Sequence, residues 1–319
     1  MSGEDGSADI SDEVEAWMTE LSNWGRWGTD DERGTLNLIT DEHRRRAAGL
    51  VREGITVSCA HDIVTGTVNA QRYMVATGLD RDECGAHARP GASDGGRSSV
   101  AAEYLGMIFH GMTITHLDAP SHVFWNGLMY NGAPASLVTD RHGATRSDVR
   151  AVSQGVATRG VLLDVAALLG VDPMEPGTPI TPAHLDEASE RAGIRVGPGD
   201  VLLVRTGEAA RRSRAGMTYT GSHQPGLHAS CLPWLRERDV ALLGSDVAQD
   251  VRPTGVARFS MPIHTVGLVA MGLWLIDNCD LDPLAAMCNR LRRWEFSFVL
   301  APLRFRGATG SPCNPLAIF

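Results

Sequence analysis

The sequence predicts an α/β domain with a mixed sheet at its core. Three observations carry that expectation. Residues 160–165, 201–205 and 240–245 are continuous apolar runs of strand length, the pattern of strands buried on both faces. Segments with helical character stand between them, at 181–192 and 227–238, and strands that alternate with helices favour parallel pairing. No internal repeat or linker interrupts the 319 residues, which suffice for one large core, so residues 11–319 read as a single domain.

Taken in order, the first ten residues are acidic and polar, a disordered tail rather than a signal peptide. Val14, Trp17, Met18 and Leu21 then recur at helical spacing, with Ser11 as the N-cap. Residues 23–40 contain two Trp-Gly pairs, which either pin a loop to the core or line a substrate site. Thr40 opens a helix through Leu50, and residues 55–63 read as a strand. Residues 76–98, rich in Gly, Ala, Asp and Arg, form a long excursion of the kind that serves as a mobile flap. Thr181-Pro182 starts a helix with proline at its first position. Residues 206–222 are polar and arginine-rich, a surface segment. Asp246 and Asp250 follow the third buried run, where carboxylates serve equally as ligand-facing groups or as caps. Residues 265–271 continue as a helix after His264, and 294–304 form a long strand. Residues 307–315 make a turn cluster whose amides either hold an oxyanion or close the fold.

Composition removes several function classes. A formal net charge of -9 and a pI near 5.6 argue against a nucleic-acid surface or an anionic membrane as partner, and no apolar run reaches the length of a membrane span. The 29 basic residues are all arginine, which excludes Schiff-base catalysis, a Walker lysine and a lysine general base. The six cysteines form no CxxC pair and read as reduced thiols of a cytoplasmic protein.

The densest chemistry lies in HGMTITHLDAPSHVFWNGLMYNG, residues 110–132. If residues 113–118 are extended, His116 and Asp118 leave the same face, because side chains alternate along a strand. Pro120 stops the strand, and His122 is carried round the corner towards the same point. Imidazole and carboxylate together suit zinc or manganese, and a histidine that is not a ligand can move protons near neutral pH. Histidines in one segment are often only hydrogen-bonded groups; the aspartate at strand spacing is what argues for a site.

The stretch THLDAPSH followed by VFWNGLMYNG resembles the core motif of the cyclase family that includes bacterial kynurenine formamidase, isatin hydrolase and trans-dienelactone hydrolase. The early NWGRWGTDDERGTLNLIT, the later PIH and LIDNCDL, and the closing PLRFRGATGSPCNPLAIF fit its longer members, so the resemblance spans nearly the whole chain. It implies a swivelling β/β/α domain that assembles as a homodimer or homotetramer. It also implies hydrolysis of amides, lactones or related rings with a bound divalent metal. By this resemblance His116 and Asp118 match metal ligands, His122 matches the general acid/base, and His264 matches a later ligand histidine. Asp277 stands where the family usually has a ligand glutamate. The formamidases also place a ligand histidine four residues before the one matching His116. Here that residue is Met112, whose thioether binds hard or borderline ions poorly. His110 substitutes only if the backbone bulges or uses a different strand face. Trp24, Trp27, Phe124 and Trp125 would wall a pocket for a flat or cyclic small molecule.

The expected function is a metal-dependent hydrolase or cyclase, with zinc or manganese activating water and His122 as base. Met112 and Asp277 keep open a metal-independent cyclase or dehydratase of the same fold in a biosynthetic pathway. A non-catalytic small-molecule binding protein is a third reading, weighed down by the presence of His122.

Overall fold

In the computed structural model, which describes residues 9–64, 70–74, 103–215 and 222–319, nine strands make one mixed sheet. In chain order they are β1 Thr56–Ser58, β2 His116–Asp118, β3 Val156–Asp164, β4 Val201–Arg205, β5 Leu242–Ser245, β6 Trp274–Asp277, β7 Glu295–Leu300, β8 Gly310–Pro312 and β9 Leu316–Ile318. Across the sheet they stand in the order β1-β9-β7-β3-β4-β5-β6-β2-β8. The central four, β3, β4, β5 and β6, are parallel. Antiparallel strands flank them on both sides. The three apolar runs are therefore the parallel centre, as their lack of alternation requires.

Helices cover both faces. On one face lie α1 Ser11–Glu20, α3 Val165–Leu169, α4 Pro182–Ala192, α6 Cys231–Glu237 and α7 Pro262–His264, the last continuing as a π-helix over Thr265–Met271. Their apolar side chains share a core with Val161, Leu163, Leu202, Val204, Leu243 and Leu275. The alternate residues Leu162, Val201, Leu203, Leu242, Trp274 and Ile276 join a second core under α8, Asp282–Leu291. Thr40 caps α2, Asp41–Ala48, in a reciprocal capping box with His43.

Several expectations shift. Ser11 is not the cap of α1 but its first residue, and Asp9, within the expected tail, accepts from its amide at 3.1 Å. The strand expected over 55–63 shrinks to β1, and that over 294–304 to β7, before Pro302. The supposed surface segment after Arg205 forms a helix, α5, Glu208–Ala215, whose Glu208 and Arg212 are buried. The turn cluster at 307–315 yields β8, paired with β2, and the Gly307 amide donates to Asp148. It closes the fold. The excursion at 76–98 lies outside the described residues. Among the described residues no helix is long and apolar enough to cross a membrane.

Candidate metal centre

Strand β2 carries the site into the sheet. It pairs antiparallel with β6, so that Asp277 stands directly across from His116 and Leu275 from Asp118. Residues paired in this way leave the same face. Leu117 between them points into the second core, which leaves His116, Asp118 and Asp277 together on the face of α7 and its π-helix. All three are buried, and their ligand atoms lie within 4.8 Å of one another.

The strand is shorter than expected. Residues 110–114 form bends rather than a strand, and this bend brings His110, not Met112, to Asp118. His110 Nδ1 comes to 2.8 Å from Asp118 Oδ1, and its ring stacks on His122 with centroids 3.7 Å apart. His110, Asp118 and His122 form a second group of possible ligands, again within 4.8 Å, that shares Asp118 with the first. His122 arrives by the turn that Pro120 makes, its amide donating to the Ala119 carbonyl at 2.9 Å.

His264 comes from the start of the π-helix, a form of helix frequent at functional sites. Its Nε2 lies 3.2 Å from Asp277 Oδ2 and 3.7 Å from Asp118 Oδ2. Sequence reasoning weighed the carboxylates after β5 evenly, and they divide. Asp246 is a cap: it accepts from the amides of Thr206, Gly207 and Glu208 at the start of α5. Asp250 belongs to the site, since it lies 2.6 Å from His264 Nδ1 and accepts from the Ile263 amide. Gln249, which the sequence did not single out, donates to Asp277 Oδ1 at 3.1 Å and to the Ile276 carbonyl. No local spacing marks Gln249; only the return of its loop beneath β6 does.

The outer nitrogen of each inward-facing histidine is already engaged. His116 Nδ1 donates to the Ile114 carbonyl at 2.8 Å, His110 Nε2 meets the Thr309 hydroxyl at 3.0 Å, and His264 Nδ1 meets Asp250. Such outer partners fix the tautomer and orientation of ligand histidines. With its proton on Nδ1, His116 turns a lone pair at Nε2 towards Asp118 Oδ1, 3.4 Å away. Two acceptors facing each other in a buried site repel unless a cation stands between them. Among the described residues, both Asp118 oxygens and His110 Nδ1 are buried without a hydrogen bond of proper geometry, the 2.8 Å approach of His110 to Asp118 included. A donor set of imidazoles and carboxylates with these orphaned atoms fits a divalent metal ion.

Charge follows the same geometry. Burial pushes the Asp118 carboxyl up, but the imidazoles of His122, His116 and His110 hold it well below the usual carboxylate range. Burial pulls the His122 imidazole down to about 4 against the opposing charge of Asp118. Burial also lowers His264, yet Asp277 and Asp250 outweigh it and raise its pKa well above the ordinary value. His110 is half-buried and His122 intermediate, so the His110–His122 side of the cluster is the one open to solvent.

Trp24, Trp27 and Trp125 make other contacts, and Phe124 lies at the surface. Trp24 donates to the Val269 carbonyl of the π-helix, Trp27 lies under the Arg26 guanidinium and Trp125 stacks on Phe259. Among the described residues, no hydrogen bond or ring contact joins them to the histidine cluster.

A family model described as putative cyclase matches residues 10–249. A crystal structure described as a novel cyclase is 31% identical, with a TM-score of 0.82, over 94% of this chain and 100% of the other. Isatin hydrolase A from Ralstonia solanacearum is 18% identical, with a TM-score of 0.58, over 85% of this chain and 93% of its own. An isatin hydrolase bound to the product analogue thioisatinate is 19% identical, with a TM-score of 0.54, over 85% and 94%. At those identities the isatin hydrolases share the fold. No protein of curated function matches the chain by sequence.

Proposed function

This chain belongs to the putative cyclase family, and from that premise we propose that it is a metal-dependent hydrolase, or the corresponding ring-forming cyclase, of a small cyclic amide, imide or lactone. The observation that carries the reading is the convergence on Asp118 of His110, His116 and His264, each with its outer nitrogen held elsewhere. The fold shared with isatin hydrolases supports a cyclic amide as the first substrate class to test.

His116, Asp118, His264, His110 and Asp277 would hold the ion. A divalent ion there supplies Lewis acidity and makes water a nucleophile near neutral pH. His122 does the proton work from the solvent-facing side. Its depressed pKa leaves it neutral at pH 7, able to accept a proton. It takes the proton of the attacking water as the new C–O bond forms at the carbonyl carbon. It returns that proton to the leaving nitrogen or oxygen as the C–N or C–O bond breaks. Ring closure is the same sequence reversed. Asp118 faces His122 and stabilises the imidazolium formed between the two transfers.

The test is elemental analysis of tag-free protein purified without chelators, followed by a screen of cyclic amides, imides and lactones. The expected result is about one zinc or manganese per chain, lost in His116→Ala, and turnover reduced at least a hundredfold in His122→Ala, the lower end of general acid–base contributions. A metal-free protein indifferent to added metal would sink the reading.

A further inference from the structure

Residues 110–114 form bends outside any strand, so their carbonyls turn to donors other than a strand neighbour. One side chain reaches two of them. Asn278 Nδ2 donates to the Gly111 carbonyl at 2.6 Å and to the Ile114 carbonyl at 3.3 Å. Its own carbonyl accepts from the Thr115 hydroxyl at 2.6 Å. Its Oδ1 accepts from Arg212 Nη2 at 3.0 Å. Turning the amide over would set its oxygen against two carbonyl oxygens and its nitrogen against a guanidinium, so the orientation is determined by its neighbours. The residue is fully buried and takes φ +57°, a conformation asparagine adopts more readily than most residues.

We infer that Asn278 is the positioning residue of the metal centre: it clamps residues 111–115 in their bend, so that His110 reaches Asp118 in a chain whose residue 112 is methionine. The inference rests on the metal reading proposed above. The clamp acts on two ligands at once. The Ile114 carbonyl that Asn278 holds is also the acceptor for His116 Nδ1. Asn278 is anchored in turn. Arg212 donates to the Asp246 carbonyl as well, and the Asp246 carboxylate binds the amides that begin α5, the helix carrying Arg212. The cap of α5 and the geometry of His110 are thus joined through two side chains.

The test is zinc affinity of the stripped protein, measured against a chromophoric chelator, together with the absorption spectrum of the cobalt(II) form. Asn278→Asp keeps the shape and the backbone preference but turns an acceptor onto two carbonyls. Asn278→Gly keeps the left-handed backbone and deletes the amide. Both are expected to bind zinc about 10–100-fold more weakly, the usual cost of losing an outer partner. Both should shift the cobalt spectrum towards that of His110→Ala, and Asn278→Asp combined with His110→Ala should cost less than the two single changes summed. If Asn278→Asp does not fold, Thr115→Val, which removes the hydroxyl on the opposite side of the clamp, is read by the same assay. Wild-type affinity and spectrum in Asn278→Gly would overturn the inference and leave the metal centre standing. A wild-type protein that binds no zinc, or His116→Ala binding as tightly as wild type, would overturn the metal reading and the inference with it.

Discussion

Asp250 sits 2.6 Å from Nδ1 of His264, so Nε2 is the ring nitrogen turned towards Asp277 and Asp118. The carboxylate also accepts from the Ile263 amide, which fixes the start of the π-helix on which His264 stands. Asp250→Asn keeps an oxygen for Ile263 but removes the charge opposite the imidazole. Metal affinity should fall about 10–100-fold with little loss of folding. Chelator competition measures this directly, and an unchanged dissociation constant would show that Asp250 is only structural.

Asp277 is the shorter carboxylate where a glutamate was expected, yet its pairing with His116 brings it into ligand range. Asp277→Asn should reduce bound metal below one per chain after dialysis. Retention of full stoichiometry would remove Asp277 from the ligand set.

The metal-free protein should lose stability in acid through His122. Its folded pKa of about 4 lies below the ordinary 6.5. As pH falls through that interval the unfolded chain takes the proton first, so stability present above about 6.5 is lost towards 4. His264 works in the opposite sense, since its pKa is raised and its contribution fades as pH rises. Thermal midpoints of stripped wild type and His122→Gln, compared from pH 7.5 to 4.5, separate the two. The wild type should fall further, whereas parallel curves would contradict the assignment.

Gly310 lies across from Asp118 in β8. A Cβ there would collide with the Leu117 carbonyl and come within 2.7 Å of His110 Cε1. Gly310→Ala should destabilise the fold by about 1–3 kcal/mol, the usual cost of overpacking, and should weaken metal binding by displacing His110. Chemical denaturation and zinc titration are the two readings. Normal zinc affinity in a destabilised variant would separate His110 from the centre.

Much of the centre of the fold was legible because the relevant physics is local. Strands buried on both faces must be apolar throughout, and 160–165, 201–205 and 240–245 were. The spacing of His116 and Asp118 survived because alternation on a strand needs only two residues of it. Edges were misjudged: β1 and β7 are shorter than their apolar runs, and residues 307–315 looked like a turn because only pairing with β2 makes residues 310–312 a strand. Arg212 read as surface because a polar, arginine-rich segment normally is; here the carbonyl of Asp246 and the amide of Asn278 receive it in the interior.

By itself the sequence determined the α/β class and the family resemblance, and it marked His116, Asp118 and His122 as candidates by spacing and side-chain chemistry; His264, Asp277 and His110 it named only through that resemblance. Only the tertiary structure decided which groups join them. Asp277 and His264 enter through an antiparallel pairing and a π-helix more than a hundred residues downstream. His110 enters through a bend whose carbonyls at 111 and 114 accept from Asn278, far along the chain. Pairing register and hydrogen-bond satisfaction are properties of the packed chain, and no local window contains them.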